Sequence, residues 1–365
     1  MHGSATRVRL IGSDESLASA CRPLNGRTGS AGFFQSSAWL ENFRRHGAPP
    51  GDRLRLYAVQ ASDDSRLAFV PAIYSRLYDV HPRARVLHFL QPDGLNYQPF
   101  PAPGDENPLR AVEQVLQTLF QDPRAYDVLR FSPVGRESPF ADGLIALLRR
   151  NGHPLQIYRF PDDCFAPTTP GSSNVYFAAR PAPLRQSLAL AESTLRESGR
   201  VKFRLMRLPE EVDAGWRDYQ QILDRSGADP PAESAGYLTG IMRAAAACGA
   251  LRLGFIDLDG VPAAVQLWIA SAAAARCLRV FSIEQPPEVP LTDLLIQDLA
   301  AFLIDHDGIA ELGFGALDPQ LAINWAPGRR VRVGLAAFNP RTWRGMKGAA
   351  RHVGAQFIKS LFRRN

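Results

Sequence analysis

The sequence contains almost no lysine. Of 42 basic residues only Lys202, Lys347 and Lys359 are lysines, and the rest are arginines. So one-sided a preference reflects genome composition, and arginine abundance alone says little about partners. Cysteine is also scarce. The four, at 21, 164, 248 and 277, form no C-x-x-C pair, and no Cys/His cluster has zinc-ligand spacing, so no metal site is predicted. No run of about 18 apolar residues occurs, which predicts no membrane-spanning helix. The first residues, MHGSATRVRLIGSDES, lack the apolar core of a signal peptide, and a cytoplasmic protein is expected. There is no G-x-S-x-G elbow, H-E-x-x-H pair or phosphate-binding Walker loop. The seven histidines show no catalytic arrangement. Acidic residues stop at Asp318; ten Arg or Lys follow it, within a net charge of +6.

What is present fits an ordinary soluble globular protein: 45% hydrophobic and 21% charged residues over a length of 365, enough for two domains. The first half reads as strands at Thr6 to Ile11, Leu54 to Gln60, Leu67 to Ser75 and Val86 to Leu90. A helix over Phe33 to His46 carries Ser36 or Ser37 as its cap. Helices at Asn107 to Phe120 and Ser138 to Arg150 flank a strand at Tyr126 to Phe131, and Pro154 to Phe160 returns as a strand. Residues 161–175 are rich in Pro, Ser, Thr and Gly and read as a linker or crossover loop. Tyr176 to Ser198 is expected to be largely helical. A strand at Val201 to Leu208 and helices at Pro209 to Arg225 and Tyr237 to Cys248 follow.

The stretch from Leu251 to Phe338 is the most informative. LRLGFIDLDG ends in Asp259-Gly260, a tight-turn signal, and VPAAVQLWIAS completes a hairpin. In the next strand, RCLRVFSIEQ, Arg279 and Phe281 share one face. A helix through Asp305 is predicted to be capped by Thr292, with Asp293 in its first turn. Strands at Ile309 to Phe314 and Val331 to Phe338 complete the order of hairpin, strand, helix, strand.

That order, with the motifs it carries, resembles the FemAB-like, CelD/BcsL-type branch of the GNAT acetyltransferases. The motifs are Asp259-Gly260-Val261-Pro262-Ala263-Ala264-Val265-Gln266-Leu267-Trp268, Arg279, Glu311-Leu312-Gly313-Phe314-Gly315 and Asp318-Pro319. After them come Trp325, Arg329-Arg330, Gly334 and Ala337-Phe338-Asn339-Pro340-Arg341. They keep their order over about 90 residues, and Ser36-Ser37-Ala38-Trp39-Leu40 near the N-terminus adds to the match. The resemblance implies a mixed-sheet α/β tandem double-GNAT (acyl-CoA N-acyltransferase) fold. Its N-terminal GNAT-like domain would cover 1–165, its C-terminal acyltransferase domain 166–340, and a basic tail 341–365.

The resemblance also implies a site. Acetyl-CoA or a longer acyl-CoA would enter where the two central parallel strands part, with its diphosphate on the following helix start, an anion-favouring position. Ser282, Ile283, Leu291, Thr292 and Asp293 are the donor-binding candidates. Glu284 and Asp318 are the candidate bases for deprotonating an acceptor. Tyr237, Gln266, Trp268, Arg279 and Trp325 are the acceptor-side candidates, with core packing the competing role for Trp268 and an ion pair to Glu284 or Glu311 that for Arg279. Three departures from the family stand out. Glu288 and Pro290 lie where phosphate-binding glycines belong. The strongly basic run before residue 200 is reduced to Arg180, Arg185 and Arg196. The Tyr-Lys that should follow Asp318-Pro319 is missing.

The implied reaction is transfer of an acyl group to an amine or hydroxyl of a cell-envelope or polysaccharide precursor. Three alternatives stay open: a Fem-like transferase using aminoacyl-tRNA, an enzyme using an acyl carrier protein, and a catalytically degenerate binding module. From Arg341 onward, basic and apolar residues mix in a segment suited to peripheral contact with an anionic membrane or to docking on the body of the protein. No aromatic-basic platform for nucleic acid is apparent.

Overall fold

The computed structural model describes residues 7–11, 32–47, 51–60, 67–76, 83–90, 107–228, 235–271, 273–283, 289–315 and 319–362. In chain order the strands are β1 (Arg7–Ile11), β2 (Arg53–Gln60), β3 (Leu67–Ser75), β4 (Val86–Leu90), β5 (Val128–Gly135), β6 (Leu155–Pro167), β7 (Val201–Met206), β8 (Leu251–Leu258), β9 (Val261–Ser271), β10 (Ala274–Ser282), β11 (Glu311–Gly315) and β12 (Gly328–Phe338). The helices are α1 (Ser37–Asn42), α2 (Pro108–Gln121), α3 (Pro139–Arg150), α4 (Ser173–Ala178), α5 (Ala182–Ala191), α6 (Val212–Arg225), α7 (Ala235–Ala247), α8 (Leu291–Asp305), α9 (Pro319–Trp325) and α10 (Trp343–Phe362).

The chain forms two compact units. One holds the described residues within Met1–Pro23, Ala48–Asp162 and Arg330–Asn365; the other holds those within Leu24–Gly47 and Asp163–Arg329. The units repeat one topology. In the first, β1, β2, β3 and β4 are antiparallel neighbours, and β4 is joined through α2 to a parallel β5. In the second, β7, β8, β9 and β10 are antiparallel neighbours, and β10 is joined through α8 to a parallel β11. Each helix crossover is what a parallel pair needs.

The sixth strand is exchanged. β6 follows the first unit's α3 in sequence, yet Cys164 to Pro167 pair with β11. β12 follows the second unit's α9, yet Arg332 to Phe338 pair with β5. The chain is therefore divided less simply than at residues 165 and 340. The segment around α1 belongs to the second unit: the Asn42 amide donates to the Tyr237 carbonyl (3.0 Å), and the Phe33 N–H donates to Ser271 Oγ (3.1 Å). Gly240 makes room for this, since a Cβ there would fall 1.8 Å from Asn42 Oδ1.

One further expectation is corrected. Residues 161–167 are strand rather than linker or crossover loop, and for Cys164 to Pro167 pairing with β11 supplies backbone partners that outweigh the loop-like composition. Residues 343–362 form a helix grouped with the first unit, in keeping with the reading of the basic segment as docked on the body. Its glycines, unfavourable for a helix by propensity, allow close packing: a Cβ on Gly345 would lie 2.3 Å from the Asn339 carbonyl oxygen.

The first unit buries β3, β4 and β5 against α2 and α3, with Phe89 and Phe131 stacked at 4.4 Å. In the second unit α8 lies on one sheet face and α6 on the other. Leu299 of α8 fills the space above Gly254 of β8, whereas Leu253 and Phe255 meet Gly215 of α6. The predicted hairpin forms at Asp259 and Gly260, whose φ angles of 51° and 81° suit a tight two-residue turn.

Candidate functional site

The second unit's parallel strands part soon after they meet. β10 pairs with β11 at Ala274, Ala275 and Arg276, opposite Glu311, Leu312 and Gly313. Beyond this point both strands are irregular: β10 is bulged between Cys277 and Arg279, and β11 between Gly313 and Gly315. Cys277 to Ser282 run on beside β9 alone. In the first unit, by contrast, every residue of β4 pairs with β5, from Val86↔Val128 to Leu90↔Ser132.

The start of α8 is tied to the parted strand on one sheet face. Thr292 Oγ1 donates to Ser282 Oγ (3.1 Å). Gln266 Nε2 lies 3.5 Å from the Thr292 carbonyl oxygen, and its Oε1 accepts the Trp268 indole N–H (2.8 Å). Trp268 stands edge-on to Phe314, with ring centres 5.1 Å apart. Gln266 and Trp268 share a face as expected, but both are fully buried, so they support the site from below.

Thr292 is not the helix cap. The helix opens at Leu291 with Pro290 at the cap position and no side-chain cap. The hydroxyl of Thr292, already inside the first turn, is taken by Ser282. The Leu291 N–H donates to the Val289 carbonyl (2.8 Å) and that of Leu294 to Pro290 (3.0 Å). Thr292 and Asp293 then carry the first-turn N–H groups with no acceptor inside the helix.

The Asp293 carboxylate, in the first turn, accepts the Trp325 indole N–H at 2.6 Å. Burial raises its pKa, and the Trp325 hydrogen bond offsets only part of that rise. Trp325 ends α9, and its carbonyl accepts from Tyr176 Oη (2.8 Å) and Arg180 Nη1 (2.9 Å). The Arg180 guanidinium lies 4.4 Å from the centre of the Tyr176 ring.

The opposite face of β10 carries cations. Arg279 pairs with Leu267, and Phe281, two residues on, meets Tyr219 of α6 with ring centres 5.6 Å apart. Arg276 lies across Gly313, where a Cβ would fall 2.5 Å from its Cδ, and ion-pairs with Asp163 of β6 at 2.7 Å. Sequence reading missed this pair. The same signal that marked Arg279, a charge within an apolar strand, was there to find Arg276.

Among the predicted residues, the structure brings Ser282, Thr292, Asp293, Gln266, Trp268 and Trp325 together around the α8 start. Leu291 is buried there, and the Ile283 N–H donates to the Ala263 carbonyl (2.9 Å). Tyr237 is not part of this group. It is buried on α7, its ring against Phe43. Glu284 and Asp318 lie outside the described residues. Burial of its sulfur pushes the Cys277 thiol up to about 12, against the pull of Arg279. No group of His, Cys, Asp and Glu able to hold a metal ion exists among the described residues.

The parallel pair thus opens just ahead of a helix start. Residues 183–320 match the family model described as Acetyltransferase (GNAT) domain. Over that stretch the chain is similar to a GNAT domain, and the first unit repeats the strand and helix order of the second. Its fold is similar to that of FemX, at 10% identity over 90% of this chain and 96% of that one, with a TM-score of 0.60. It is also similar to the C-terminal domain of a "Putative Lysylphosphatidylglycerol Synthetase" from Agrobacterium fabrum, at 12% identity over 93% and 97% of the two chains, with a TM-score of 0.54. L-PGS from Bacillus licheniformis is a third such structure, at 11% identity over 86% and 94%, with a TM-score of 0.51. No curated protein matches the sequence.

Proposed function

We propose that the second unit is an acyltransferase that moves an acetyl or longer acyl group from a coenzyme A thioester to an amine or hydroxyl. The acceptor would be part of a cell-envelope or polysaccharide precursor. The parting of β10 from β11 directly ahead of α8 carries this reading. An extended thioester arm fits between strands whose backbone groups no longer meet. The helix start fits a diphosphate more sparingly. Pro290 has no N–H and Leu291 has used its own, so Thr292 and Asp293 would hold the anion through their backbone N–H groups. Trp325 assists by drawing the Asp293 carboxylate aside. The first unit shows no such opening among the described residues, since β4 is fully paired, and is assigned a supporting or acceptor-binding part.

The thioester supplies an activated acyl carbonyl. The chain's own task is to orient the acceptor and take its proton as the new bond forms and the carbon–sulfur bond breaks. Glu284, which follows β10, and Asp318, which precedes α9, are the proposed bases. Arg279 is proposed to meet an anionic group of the acceptor on the face opposite α8.

Calorimetry with acetyl-CoA and a long-chain acyl-CoA tests the donor. Micromolar binding is expected. Thr292→Pro should weaken it, since proline is tolerated in a first turn yet removes one of the two N–H groups. Arg279→Ala should leave donor affinity nearly unchanged and raise the KM for the acceptor. A folded protein that binds neither thioester would end the coenzyme A reading and direct attention to carrier-protein and tRNA donors.

A further inference from the structure

The first unit carries a surface unrelated to the strand opening. α10 has two distinct faces. Gly345, Gly348 and Ala349 are buried, and Val353 packs against the cluster formed by Val86, Val128 and Phe338. The outward positions Trp343, Met346, Lys347, Ala350 and Arg351 are all exposed, Trp343 at 62% and Met346 at 45%. A tryptophan and a methionine left in solvent beside cations is an unusual combination, since large apolar side chains normally leave solvent.

Folding adds cations that sequence alone places far away. Arg344 donates to the Arg83 carbonyl (3.0 Å), and its guanidinium carbon lies 5.3 Å from the centre of the Trp343 ring. Arg341 donates to the Phe120 carbonyl (3.0 Å). Arg85 donates to the Arg124 carbonyl. Arg83, Arg85, Arg124, Arg341 and Arg344 are thus gathered at the N-terminal end of α10. Two acidic groups there, among the described residues, are already engaged. Asp127 is buried against Arg85 (2.8 Å), and Asp122 accepts the Arg124 backbone N–H (2.8 Å). No Asp or Glu occurs in α10, and Lys359, Arg363 and Arg364 continue the positive charge in sequence. No helix among the described residues is long and apolar enough to cross a membrane.

We infer that this face of α10 docks on an anionic lipid bilayer. Trp343 and Met346 enter the interfacial region while the arginines and Lys347 meet headgroup phosphates. Tryptophan belongs at that boundary because its ring is amphipathic, and a basic cluster is attracted to anionic headgroups. Lipid is favoured over nucleic acid because the exposed apolar pair is one ring and one flexible thioether, not the row of aromatic rings on which bases stack. A bilayer-docked enzyme would meet lipid-linked acceptors in two dimensions. The inference stands independently of which donor the second unit uses.

Vesicle co-sedimentation of the full chain tests it, with phosphatidylcholine alone and with phosphatidylcholine containing phosphatidylglycerol. Binding is expected only to the anionic vesicles, and it should weaken as salt is raised. The double variant Lys347→Glu/Arg351→Glu changes two exposed side chains and should bind about tenfold or more weakly. Tryptophan emission should shift to the blue on binding, and the shift should vanish in Trp343→Phe, because Trp39, Trp268 and Trp325 are buried already and Trp216, half-buried on α6, is stacked on Tyr219 and is no part of the docking face. Unaltered circular dichroism checks that the variants fold. Equal binding to both vesicle types, no binding, or binding that neither variant alters would overturn the inference. So would a tRNA affinity lost in the double variant while vesicle binding is retained.

Discussion

The indole N–H of Trp325 donates to the carboxylate of Asp293 at 2.6 Å, tying the end of α9 to the first turn of α8. A carboxylate at a helix start ordinarily competes with an incoming anion. Here a neutral donor holds it to one side and partly buries it. Trp325→Phe keeps the ring but removes the hydrogen bond. The expected loss is about 1–3 kcal/mol, the cost of leaving a buried acceptor unsatisfied, read from urea denaturation. Thioester affinity should fall with it, because the released carboxylate is free to swing toward the diphosphate. A variant as stable as the parent would show that the contact contributes nothing.

The pH dependence of Asp293 has a definite sign. Its pKa in the folded protein is raised by burial, with Trp325 lowering it in part. The folded state therefore holds this proton more tightly than the unfolded state does. Stability falls as pH rises from the unfolded carboxylate range through the raised folded value, and the cost is complete above it. Asp293→Asn keeps an acceptor for Trp325 and removes the charge. It should melt at a higher temperature than the parent near neutral pH, with the difference shrinking on acidification below the ordinary aspartate range. A difference that instead grows in acid would contradict this account.

Arg276 and Asp163 set a second test. Asp163 is nearly inaccessible, and the guanidinium that neutralises it lies across Gly313 beside the last paired position of the opening strands. Arg276→Ala should destabilise toward the lower end of about 3–5 kcal/mol, since Arg276 itself is partly exposed. The double variant Arg276→Ala/Asp163→Ala should recover part of the loss. Absence of recovery in the double-mutant cycle would mean that the arginine acts through its packed stem alone.

Gly345 is required for the seat of α10. A methyl group there would fall 2.3 Å from the Asn339 carbonyl and 2.9 Å from that of Asp127, both backbone atoms with little freedom to move. Gly345→Ala is expected to cost about 1–3 kcal/mol despite alanine's better helix propensity. Limited proteolysis should then cut within α10 sooner than in the parent. Equal or greater protection would show that the helix adjusts without loss.

The two proposed bases separate by kinetics. Glu284→Gln and Asp318→Asn each preserve size and remove proton acceptance. One of them should lower kcat by roughly 10²–10⁴ with donor affinity intact, the usual worth of a positioned base. Full activity in both would assign deprotonation to water or to another group.

Much of this protein was legible in its sequence. Short apolar runs marked the strands of the second unit, Asp259-Gly260 marked the hairpin, and the ordered motifs from Asp259 to Arg341 pointed to a GNAT arrangement. These are local signals, and a strand's period or a turn's residues do not depend on what packs nearby. Other features were settled only by tertiary structure. β6 and β12 carry ordinary strand patterns that name no partner, so nothing in them announced the exchange between units. The loop-like composition of residues 161–167 gave way to a strand, and β11 satisfied the backbone groups of Cys164 to Pro167. Thr292 left its capping role to bond Ser282, and Gln266 and Trp268 turned out to support the site from within the core. The arginines around Trp343 come from three distant parts of the chain, and only folding brings their charges to one surface. Sequence fixes periodicity and chemistry residue by residue, whereas partners distant in the chain are chosen by which faces can be buried and which backbone groups can be paired.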